Sequence, residues 1–133
     1  MAARRDGSEA EANALRAVHA FMERFNARDL EGWRDTLNYP HVRLASGAVA
    51  IANEPAEYAA GLDFEKFSRA TGWDHSVLDS ADVVQSFDDK VHVTVRFTRY
   101  RADGSTIGEY RALYVVTNQD GHWGIQCRSS SAP

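Results

Sequence analysis

Cysteine is nearly absent from this 133-residue chain: Cys127 stands alone. That excludes an internal disulfide framework and a cysteine-rich zinc site, and leaves no mark of an oxidising compartment. Lysine is almost as scarce, with Lys66 and Lys90 against thirteen arginines. Positive charge is not in excess either, since 15 Lys+Arg against 19 Asp+Glu give a formal charge of −4. Nucleic-acid binding needs a clustered basic surplus, so no nucleic-acid partner is expected. No window approaches the roughly 18 apolar residues of a membrane span, and MAARRDGSEA holds no apolar signal region. The expectation is a soluble, cytoplasmic protein with no membrane partner. G-x-G-x-x-G, P-loop and G-x-S-x-G motifs are missing too, which argues against nucleotide cofactors and serine hydrolysis. The five histidines form no H-x-x-x-H or H-x-H pair, and no acidic cluster has metal-loop spacing. Neither a metal nor a cofactor is expected.

What is present is an ordinary globular composition, 44% hydrophobic and 11% aromatic, at a length that suits one domain. Residues 1–8 read as a flexible tail and 9–133 as the domain. Ser8 and Glu11 have capping-box spacing, and Leu15, Val18, Met22 and Phe25, with Phe21 beside them, then share one helical face. This predicts a helix over 9–28. Asp29 can cap a second one, about 29–37, with Leu30, Trp33 and Leu37 on one side and Tyr39-Pro40 as its stop. HVRLAS (41–46) and AVAIAN (48–53) read as a small hairpin. A third helix fits 55–70, with Pro55 at its start, Gly61 weakening its middle and Gly72 at its end. From Trp73 the period changes to two. Residues 73–87, 91–101, 106–117 and 122–130 read as strands of an antiparallel meander, with Asp103-Gly104 and Asp120-Gly121 as type I′ turns. The layout is α+β, with helices against a curved antiparallel sheet.

FNARDLEGW (25–33), NYPHV (38–42), VRFTRY (95–100) and DGHWGIQCRSS (120–130) stand in an order and spacing that resembles the NTF2-like superfamily. Also called SnoaL-like, it has a cystatin-type cone, and VRFTRY resembles the association domain of calmodulin-dependent kinases. The resemblance covers residue 9 to the end. It implies a bent sheet folded around a helix, enclosing an apolar pocket. Isomerases, dehydratases, an epoxide hydrolase and members without known activity share that fold, so it does not name a reaction.

With two-residue loops at both turns, Phe97 faces Tyr110, Val95 Ala112, Val93 Tyr114 and Val91 Val116; Val116 then meets Ile125, and Tyr114 meets Cys127. One face is therefore apolar. The other carries His92, Thr94, Arg96, Arg111, Glu109, Gln126 and Arg128. Local chemistry allows the apolar face to lie beneath the helices. The resemblance implies the reverse, with the polar face lining the cone and the apolar face meeting a second subunit in a homodimer.

His41, just after Tyr39-Pro40, has the residue type of a general acid or base, and Tyr39 of an oxyanion donor. His75, two residues from Trp73 on a strand, adds a titrating group beside an aromatic wall, with Asp74 on the opposite face. A turn tyrosine and packed or exposed histidines explain the same residues without chemistry. On the polar face, Arg96 and Arg128 with Gln126 between them would bind a carboxylate, with the ligand's rings against Trp33 or Trp73. Two functions remain open. One is a cofactor-independent lyase or isomerase, dehydratase-like, acting on a small carboxylate-bearing molecule. The other is a non-catalytic ligand-binding or oligomerisation module.

Overall fold

The structure, a computed structural model, describes residues 2–133, with side chains from residue 9 onward. Helix α1 spans Ala2–Asn26, so it begins upstream of the expected cap at Ser8 and takes in the segment expected as a tail. Ala10, Ala14, Ala17, Val18, Phe21 and Met22 form its buried side, while Leu15 and Phe25 pack at the edge. Helix α2 (Leu30–Asp35) starts where expected, because the Asp29 Oδ1 accepts the Gly32 N–H at 2.9 Å. It buries Trp33.

Strand β1 (Leu37–Ala45) starts earlier than expected, and Tyr39-Pro40 lies within it rather than ending a helix. Ser46 and Gly47, both at positive φ, turn the chain into β2 (Ala48–Ala52). The helix expected over 55–70 is divided. Pro55–Glu57 is a single 3-10 turn, and helix α3 covers Phe64–Thr71, capped by Asp63 and ended by Gly72 at φ 79°. Gly61, at φ 80°, lies in the break, a conformation that costs glycine nothing.

Four long strands follow: β3 (Trp73–Ser86), β4 (Lys90–Arg101), β5 (Thr106–Gln119) and β6 (His122–Ser130). All six strands form one sheet in the order β2-β1-β6-β5-β4-β3. The β1–β6 pair is parallel and sets Arg43 opposite Arg128. Among the described residues, no helix is long and apolar enough to cross a membrane.

The β4–β5 register from Val91↔Val116 to Phe97↔Tyr110 is the one expected, but it arises differently. Arg101 N–H donates to the Ser105 carbonyl at 2.8 Å and Gly104 N–H to that of Arg101 at 3.0 Å, closing a three-residue loop. A bulge beside Arg99 and Tyr100 then restores the register. At the next turn Asp120 and Gly121 both have positive φ, as type I′ requires, and Val116 meets Ile125. Beyond that pair the register slips at Gln126. Tyr114 consequently faces Arg128, and Cys127 faces Val115. Cross-strand partners share a face, so the slip puts Arg128 on the apolar face and Cys127 on the other, the reverse of the faces expected for them.

Val91, Val93, Val95, Phe97, Tyr114, Val116 and Ile125 are buried in one core with the α1 residues. The implied polar lining of the cone is thereby corrected: the apolar face lies beneath α1. The physical reason is that α1 and the sheet each have one strongly apolar side, and joining them removes both from water. Val93 and Tyr114 are covered within the chain, so a second subunit cannot pack there.

Candidate functional site

A cavity of about 510 Å³ opens beside this core. Its aromatic wall includes Phe21, Phe25, Trp33, Tyr58, Phe97 and Tyr114. Three arginines also line it: Arg43 from β1, Arg99 from β4 and Arg128 from β6. Against them stands one acidic side chain, Glu57, which is exposed and whose Oε1 accepts the Asn53 N–H at 2.7 Å.

Arg128 is 8% exposed. Its Nε donates to His41 Nε2 at 3.1 Å and its Nη2 to the Tyr58 hydroxyl at 2.7 Å. The guanidinium also lies 5.0 Å from the Phe21 ring centre. An arginine can only donate, so His41 Nε2 accepts, and Nδ1 carries the proton donated to the Ile125 carbonyl at 2.9 Å. Burial, followed by the Arg128 charge, pushes the His41 pKa down to about 4. His41 is thus a neutral imidazole with both nitrogens engaged. Burial also raises the Tyr58 pKa, opposed by Arg128.

Arg43 donates from Nη2 to the main-chain oxygens of Ala132 and of Pro133, the last residue, at 3.2 and 3.4 Å. Arg99 lies 5.0 Å from the Tyr110 ring centre, and its Nε is buried without a partner. Burial lowers the pKa of both, and Arg128 adds to the effect. Among the described residues the ion pairs are Arg24–Asp29 and Asp74–His75, so none of the three cavity arginines meets an acidic side chain. A buried cation held only by neutral groups is costly, and a site of this kind favours an anion.

Of the residues expected at the site, the structure gathers His41, Arg128 and Trp33 around the cavity. The others lie elsewhere. Tyr39 donates its hydroxyl to the Arg34 carbonyl at 2.7 Å; burial, then Tyr58, pushes its pKa up to about 12. His75 is half exposed, stacks on Tyr100 and holds Asp74 at 2.9 Å. A bulge between Trp73 and His75 separates that pair and brings Asp74 to the histidine, contrary to simple alternation. Trp73 is fully buried against Phe25, with its Nε1 donating to Ser76 Oγ. Gln126, the bulge residue, accepts from Thr117 Oγ1 and donates to the Pro40 carbonyl. Arg96 is exposed opposite Arg111 on the outer face of the sheet.

Sequence reasoning missed Arg43, Arg99 and Tyr58. Two of them had a signal. Arg43 is one alternate position from His41, and Arg99 one from Phe97 on the apolar side of its strand. Tyr58 lies in the broken helical stretch and had none.

Residues 8–132 match the family described as NTF2-like protein (DUF6841). No curated protein matches the chain. Among solved structures, the chain is similar to an NTF2-like protein with a cystatin-like fold from Novosphingobium aromaticivorans, with TM-score 0.75 and 12% identity over 92% of this chain and 81% of that one. A protein of unknown function with a cystatin-like fold from Nostoc punctiforme has TM-score 0.73 and 13% identity, over 92% and 90% of the two chains. A ketosteroid isomerase-like protein from Erwinia carotovora atroseptica has TM-score 0.65 and 19% identity, over 92% and 96%. At such identities the likeness shows the fold alone.

Proposed function

The chain belongs to the NTF2-like family that matches its residues 8–132, and from that premise we propose that it binds a small, ring-bearing carboxylate in the arginine-lined cavity. One observation carries the reading: the Arg128 guanidinium is buried against His41 and Tyr58, both neutral. A carboxylate would supply the missing charge, and the surrounding aromatic rings would take an apolar ring. Its volume is within the ordinary range for small-molecule sites, roughly 300–1,000 Å³.

Binding is favoured over lyase or isomerase chemistry by the state of the titratable groups. His41 has no nitrogen free to take a proton, Tyr39 and His75 lie outside the cavity wall, and Glu57, the one acidic side chain in the wall, is exposed with its Oε1 held by the Asn53 N–H. Proton abstraction needs a base within reach of the substrate.

Thermal-shift measurements with aromatic carboxylates and their amides test the reading. Acids should stabilise the wild type more than amides do. Arg128→Met should weaken acid binding by about ten- to a hundredfold, the worth of one charge-assisted pair. Arg96→Met, on the outer face, should bind as wild type does. Equal shifts for acid and amide would sink the proposal.

A further inference from the structure

We propose that the ligand of this cavity is a dianion, a ring carrying two carboxylates, one taken by Arg43 with Arg128 and the other by Arg99. The inference rests on the anion-binding reading above and narrows it to a class of compound.

Three guanidiniums line one cavity; Glu57, the one acidic side chain in its wall, is exposed and accepts the Asn53 N–H, and of the three only Arg43 reaches the main-chain oxygen of the last residue, Pro133. Arg128 and Arg99 have no acidic side chain beside them, and one carboxylate on the ligand would leave one of the two uncompensated. The three cations also act on one another: Arg128 lowers the proton affinity of both Arg43 and Arg99, and Arg99 that of Arg43.

Placement divides the charge into two sites. Arg43 and Arg128 are register partners on the adjacent strands β1 and β6, whose backbones run about 4.8 Å apart. Their side chains leave one region of the sheet. Arg128 has Nε and Nη2 engaged with His41 and Tyr58, and its Nη1 faces the Tyr114 side of the group, where a ligand oxygen would join the tyrosine. Arg99 comes from β4, two strands beyond β6, and rests on the rings of Phe67, Phe97 and Tyr110. Tyr114 comes from β5, between the strands of Arg128 and Arg99, and meets Phe21 edge-on in the wall of the same cavity. A ring fits the apolar middle, with an acid group towards each end.

Isothermal titration with benzamide, benzoate, isophthalate, terephthalate and phenyl phosphate decides the point, on wild type and Arg99→Met. One of the dicarboxylates should bind wild type about tenfold or more tighter than benzoate. Arg99→Met should bring that dicarboxylate to within about twofold of benzoate. Dicarboxylates no better than benzoate, with benzoate still ahead of benzamide, would overturn the dianion and leave the carboxylate reading standing. Benzoate no better than benzamide would remove both. Phenyl phosphate binding tightest, and equally in Arg99→Met, would put both charges on one head group and overturn the two-site assignment. Arg99→Gln replaces the methionine variant if circular dichroism shows the latter unfolded, and the wild-type ranking tests the dianion without either.

Discussion

The two faces of the long strands carry arginines under opposite conditions. On the inner face Arg128 is buried among His41, Tyr58 and Phe21, with no carboxylate near it. On the outer face Arg96 and Arg111 stand opposite each other, exposed. Water screens the outer pair, so their mutual repulsion costs little and they need no partner. Inside, burial lowers the proton affinity of His41, Arg43 and Arg99, and the Arg128 charge adds to it. An arginine's chemistry here is set by its face, and on β6 the face is set by one bulge residue, Gln126.

Substitutions at neighbouring positions on one strand break this comparison most sharply. Val93 is fully buried under α1, and Thr94 beside it is exposed. Val93→Lys should cost about 4 kcal/mol or more and abolish cooperative folding, because it buries an unpaired charge. Thr94→Lys should stay within about 0.5 kcal/mol. Urea denaturation followed by tryptophan fluorescence measures both, and similar losses at the two positions would contradict the assignment of faces.

The next effect is pH-dependent. His41 has its pKa lowered from 6.5 to about 4 in the folded chain. Between those values the unfolded chain binds the proton and the folded chain does not, so stability falls as the pH drops. The loss begins near pH 6.5, is complete near pH 4, and amounts to roughly 3 kcal/mol for this group. His41→Gln should flatten that part of the curve, as read from denaturation midpoints at pH 7.5, 5.5 and 4.5. A wild-type slope unchanged by the substitution would mean that His41 does not carry it.

The smallest effect belongs to the outer pair. Arg96→Met and Arg111→Met should each change stability by less than about 0.5 kcal/mol. A large loss from either, by the same urea measurement, would mean that the outer face is not simply solvated.

Features with a local physical cause were legible in the sequence. Asp29 caps α2 because its carboxylate reaches the Gly32 N–H, and Gly72 ends α3 because it accepts positive φ at no cost. Alternation from Trp73 onward gave the meander and most of its register, since apolar residues recur every second position. The first helix starts earlier than Ser8 suggested; a capping-box spacing gives no signal when the chain is already helical upstream.

The sequence by itself determined the fold class, the family and the apolar face of the meander, because periodicity and turn chemistry are local properties of the chain. Tertiary structure alone decided which side of the sheet encloses the cavity and which arginines reach it. Alternation counts residues, and a bulge inserts one without a sequence mark of its own. The slip at Gln126 turned Arg128 inward, while the parallel pairing of β1 with β6 brought His41 and Arg43 to it across more than eighty residues. Tyr58 completes the group from a turn whose position depends on everything packed around it.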